Sequence, residues 1–164
     1  MVEYDHMKKG STLFLKIIIV LIAVGVLAGL IIFPQTEGRA VNLGLIDIYK
    51  DPLIIFVYIG SIPFFIGLYQ GFKLLNFIDK GKAFSQGAIN TFRNMKIASF
   101  TLIGFIASTL LYLRFYAQGE DAAGPTGLGI IACLIIAVIG TAAAIFQKLL
   151  QNAVEIKSEN DLTI

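Results

Sequence analysis

The apolar residues of this chain neither alternate nor recur at helical spacing; they run on. Four stretches, Leu13–Phe33, Leu53–Phe72, Ile97–Leu113 and Leu128–Gln147, are almost free of charge. A hydrocarbon core about 30 Å thick is crossed by roughly 20 helical residues, and each stretch is of that order. Lipid offers no partner to a bare amide, so each run must satisfy its own backbone as a helix. The pattern predicts an all-α integral membrane protein, a four-transmembrane-helix bundle with spans over residues 13–33, 53–72, 97–116 and 128–147.

Polar punctuation sets the connections. Residues 34–52 read as an outer loop that opens on the turn-rich Pro34-Gln35-Thr36-Glu37-Gly38. It closes on Asp51-Pro52, an N-cap aspartate before a proline that loses no needed hydrogen bond at the first helical position. Ile46, Ile48 and Tyr49 are expected to rest on the membrane surface. The glycine-rich Ala117–Gly127 loop is short, which makes spans three and four antiparallel neighbours. Pro63 falls inside span two and predicts a kink. Gly25 with Gly29, Gly104 with Ser108, and Gly140 with Ala144 are small residues four apart, a spacing that lets helices approach closely within a bundle or in a homo-oligomer. Spans two and four end alike, at Tyr69–Asn76 and Phe146–Asn152, and both are expected to project a turn or two beyond the lipid.

Of the 164 residues, 57% are hydrophobic and 15% charged, so four spans leave no length for a soluble domain and residues 1–164 form a single membrane domain. Lysine and arginine mark the cytoplasmic side of a membrane protein. Lys8, Lys9 and Lys16 lie at the start, Lys73, Lys80, Lys82, Arg93 and Lys96 around the middle loop, and Lys148 and Lys157 near the end. Only Arg39, Lys50 and Arg114 fall in the other two loops. Both termini and the middle loop are therefore expected in the cytoplasm, with the protein multi-pass in the cell membrane. A net charge of +2 gives no argument for direct nucleic-acid binding. The first run is longer than a signal-peptide core of about 7–15 residues and is followed by no cleavage site, so it reads as a retained span. Cys133 is the one cysteine, which excludes an intramolecular disulfide.

The sequence carries no Ser/His/Asp set, no His/Cys cluster at metal spacing and no phosphate-binding glycine loop. That points away from an enzyme and implies no cofactor and no metal. Ion pumps keep ionisable groups at mid-membrane, whereas Lys16 and Arg114 sit near span ends, where long stems snorkel to the interface. Distinctive residues gather instead in the middle loop and the C-terminal tail. Gly81 should break the helix leaving span two, and Ser85 should cap a short amphipathic basic helix with Phe84, Ala88, Phe92 and Met95 on one face. Such a helix either lies at anionic headgroups of the membrane lipid or docks a cytoplasmic protein. The tail, Glu155–Ile164, either frays, packs on the basic loop or presents a short peptide to a partner. Candidate docking residues are Lys82, Phe84, Ser85, Phe92 and Arg93 on the loop, with Glu159, Asn160, Asp161, Leu162 and Ile164 on the tail. Phe84, Phe92, Leu162 and Ile164 would be the anchors; Lys82 and Arg93 would steer an acidic partner or pair with Glu159 and Asp161.

The Gly81-Lys82-Ala83-Phe84-Ser85 turn and the closing Glu159-Asn160-Asp161-Leu162-Thr163-Ile164 resemble a bacterial membrane family known as domain of unknown function 2975. The resemblance extends over nearly the whole chain and implies a four-span protein of this length. That family has no established activity, but its members are often encoded beside a small helix-turn-helix regulator, which implies such a regulator as a partner. The sequence is thus read as a non-enzymatic regulatory or interaction protein. The alternatives are a small transporter or transporter accessory subunit with a pocket near Pro63, and an immunity or envelope-stress protein working through its outer loops.

Overall fold

A computed structural model describes residues 2–36, 44–50, 52–116 and 123–162. The described residues form α1 (Val2–Thr36), α2 (Leu45–Tyr49), α3 (Pro52–Asp79), α4 (Gln86–Tyr116) and α5 (Ala123–Leu162). Four of these are long and apolar enough to cross a membrane, over Gly10–Gln35, Ile54–Asp79, Gln86–Phe115 and Thr126–Glu159. At 1.5 Å per residue the 40 residues of α5 span about 60 Å, twice a hydrocarbon core. The long helices pass up and down in sequence order, with α3 against α4 and α4 against α5 as the main interfaces and α1 leaning on α3. A soluble fold would hide its leucines and isoleucines; here the most apolar window of α1 is only 6% buried within the molecule, as expected of a surface that faces lipid.

The buried core is small and lies mostly toward the α3–α4 turn, with Ile48 and Ile54 buried at the other end. Ala88, Ile89 and Thr91 are almost fully enclosed, with Leu75, Ala98 and Ala143 close behind. At the α4–α5 contact, a Cβ on Gly140 would lie 2.9 Å from that of Ser99, so only glycine permits this approach. Of the small-residue pairs, Gly140 serves packing within the bundle, whereas Gly25, Gly29 and Gly104 have no atom within 4 Å of where a side chain would begin.

Four local expectations are revised. Residues 2–12 lengthen α1 ahead of the expected span, and α5 begins at Ala123, inside the expected loop. Pro34 lies inside α1 instead of opening the outer loop. A proline at position 34 leaves the Leu30 carbonyl without its helical donor. The Tyr58 hydroxyl of α3 donates to that oxygen at 2.5 Å, so the helix continues past the proline. Just below, the Ile31 carbonyl accepts from the Tyr49 hydroxyl and from Gln35 Nε2, both at 3.1 Å. Ile48 is buried and Tyr49 half-buried; α2 fastens α1 to α3 in place of floating on the surface. Pro52 begins α3 as expected, while Asp51 lies outside the described residues.

The fourth revision concerns the middle loop. No separate amphipathic helix exists there among the described residues. Gln86 begins α4, which runs unbroken to Tyr116. The basic segment after Ser85 is the first turns of the third span, held against its neighbours by the buried Ala88, Ile89 and Thr91.

Candidate docking surface

The α3–α4 turn is built from two caps. Asp79 closes α3, and Gly81 takes φ +66°, the left-handed conformation that a Cβ disfavours. Lys82 N–H donates to the Phe77 carbonyl at 2.8 Å and Gly81 N–H to the Ile78 carbonyl at 3.0 Å. This pair of bonds around a left-handed residue is a Schellman motif. Ser85 then caps α4: its Oγ accepts from Ala88 N–H at 3.3 Å and its carbonyl from Ile89 N–H at 3.2 Å. The expected break at Gly81 and cap at Ser85 are both present. The Phe77 ring reaches across the turn onto Gly87, where an added Cβ would lie 2.6 Å from it.

A second element braces the turn from α1. Lys16 forms an ion pair with Asp79, and the Thr12 hydroxyl donates to the same carboxylate. The ammonium also lies 5.6 Å from the centre of the Phe72 ring. A carboxylate in the last turn of a helix opposes the helix dipole, so these donors offset the local charge while locking α1 to α3. Lys16 therefore does more than snorkel. On the other flank Lys96 donates to Gln147 Oε1 at 3.1 Å, and Phe92 stacks on Phe146 with ring centres 5.7 Å apart, tying α4 to α5.

These contacts sort the candidate residues. Phe84, at the tip of the braced turn, is 70% exposed. Lys82 and Arg93 are also exposed, and Ser85 is half-buried as a cap. Phe92 is spent on the α4–α5 contact and is no free anchor. Asn90 and Arg93 are exposed, whereas Asn94 is half-buried. Glu159 is exposed on α5, whose helix carries Asn160, Asp161 and Leu162 as well. The side chains of those three are not described, and Ile164 lies outside the described residues. The tail is thus an extension of a membrane helix, at the end of α5 that lies on the side of the α3–α4 turn. Thr12 and Asp79 were not singled out by the sequence. An aspartate next to a basic loop looks solvated until α1 is brought beside it.

A four-helix membrane bundle with a braced, basic turn and a long final helix defines the class of protein. The family model described as protein of unknown function, DUF2975, matches residues 35–164. The chain is also 40% identical over 161 residues to an uncharacterized membrane protein, YoaS, of Bacillus subtilis (strain 168); the match covers 96% of this chain and 100% of that relative. The chain belongs to the DUF2975 family of membrane proteins. No solved structure matches it.

Proposed function

We propose that this is a non-enzymatic membrane interaction protein whose cytoplasmic face, built from the α3–α4 turn and the projecting end of α5, docks a small helix-turn-helix regulator. The observation that carries the reading is Phe84. A large aromatic side chain stands 70% exposed on a turn fixed by a Schellman motif, a serine cap and the Lys16–Asp79 brace. Binding hot spots are large side chains on pre-ordered surfaces, because little entropy remains to be lost when they are buried. Lys82 beside it and Arg93 on the next helix supply positive charge to steer an acidic partner. The distribution of basic residues supports a cytoplasmic location for this face, and the family resemblance supports the choice of a regulator.

Affinity capture of the full chain, extracted in mild detergent from its native cell, tests the proposal. The account expects a small helix-turn-helix protein to co-purify, Phe84→Ala to weaken its recovery, and deletion of residues 159–164 to abolish it without preventing membrane insertion. Normal capture by both variants, together with a solute flux abolished by substitutions at Tyr58, Ser61 and Pro63, would replace docking with transport.

A further inference from the structure

The lipid-facing side of the α3–α4 pair carries a seam that the bundle itself does not use. On α4, Asn94, Ile97, Thr101, Gly104 and Ser108 recur at alternating spacings of three and four, so they line one face. All but the half-buried Asn94 are exposed. At the basic end this face opens into a notch of about 210 Å³ between α3 and α4, lined by Pro63, Ile66 and Gln70 on one side and Asn94, Ile97 and Thr101 on the other. Gln70 is 7% exposed, and its buried Oε1 has no hydrogen-bond partner. A buried acceptor in lipid normally finds a donor. Farther along the seam, a Cβ added to Gly104 would meet no atom within 4 Å, so nothing inside the molecule requires a glycine there.

We propose that a second copy of this chain docks in the seam, with α4 of each copy in the α3–α4 groove of the other, about a two-fold axis along the membrane normal. Such an axis brings residues of equal depth together, and an interface of this kind must be self-complementary. The notch meets that demand. A carboxamide carries both donors and an acceptor, so, with the Gln70 amide turned toward the notch, the partner's Asn94 donates to its Oε1 and symmetry returns the bond. Thr101, Gly104 and Ser108 then allow the two α4 helices the close approach that drives association in lipid. An acyl chain cannot fill the same role, because it has no N–H or O–H donor to offer Gln70. The inference is independent of the docking proposal above, since it concerns a different face.

Disulfide trapping in native membranes tests it, using the full chain on a Cys133→Ser background. Ser108→Cys should give a dimer on mild oxidation, while Gly25→Cys, on the small-residue pair of α1, should not. The Cβ of Gly104→Leu meets no neighbour within the monomer and the position is exposed, so the substitution should abolish the trapped dimer without lowering the monomer's melting temperature. Gln70→Leu removes both symmetry-related bonds and should cut dimerisation about ten- to a hundred-fold, three- to ten-fold for each interhelical hydrogen bond in lipid, without lowering the stability of the monomer. Ser108→Cys that stays monomeric, that couples only to a different protein, or that dimerises equally with Gly104→Leu present would overturn the proposal. Equal trapping at Gly25→Cys would overturn it too.

Discussion

Replacing Tyr58 with phenylalanine should destabilise the protein because of a proline on another helix. Pro34 deprives the Leu30 carbonyl of its helical donor, and the Tyr58 hydroxyl, 2.5 Å away, stands in for it. Removing the hydroxyl leaves a shielded acceptor unpaired, a cost of about 1–3 kcal/mol. Pro34→Ala restores an N–H in register for the same carbonyl. On that background Tyr58→Phe forfeits only a redundant bond, about 0.5–1 kcal/mol. The two substitutions should therefore couple by roughly 1 kcal/mol, with the double variant more stable than the sum of the singles implies. The packing change at the buried Pro34 appears in both limbs of the cycle and cancels. Equilibrium unfolding in mixed micelles, read by the loss of helical circular dichroism, gives the four stabilities required. Additivity within about 0.3 kcal/mol would refute the reasoning, since it would mean the tyrosine and the proline act on separate groups.

Gly81→Ala should cost about 1–2 kcal/mol, because φ +66° is left-handed and nothing near the site penalises the methyl group itself; the same unfolding assay reads it. Ser85→Ala should cost about 0.5–2 kcal/mol through the lost cap and should speed amide exchange at Ala88 while the spans stay protected. Single cysteines at Lys82 and Lys157, on a Cys133-free background, should resist an impermeant thiol reagent in intact cells, and one at Glu120 should react; the reverse pattern would invert the orientation.

Much of this architecture is legible in the sequence because lipid imposes a simple rule: a run of apolar residues must be a helix. The Gly81 break and the Ser85 cap are equally local, being fixed by backbone chemistry within a few residues. What the sequence hides depends on neighbours. Pro34 reads as a helix end until Tyr58 is placed beside Leu30. The segment after Ser85 reads as an amphipathic surface helix, whereas burial of Ala88, Ile89 and Thr91 makes it the start of a span. Phe92 looks like an anchor in a helical wheel but lies on Phe146. Lys16 and Asp79 are separated by 63 positions and form a pair only once α1 leans on α3. Uniformly apolar helices specify that they span, and very little about which of their faces meet.

The central claim is that Phe84 meets a protein at the cytoplasmic face. Placing a photo-crosslinking amino acid at position 84 in the native cell, then illuminating and identifying the adduct, tests this most directly. The account predicts one discrete protein adduct containing a helix-turn-helix domain, lost when residues 159–164 are removed. Adducts to phospholipid alone would contradict it and would assign the turn to the headgroup layer.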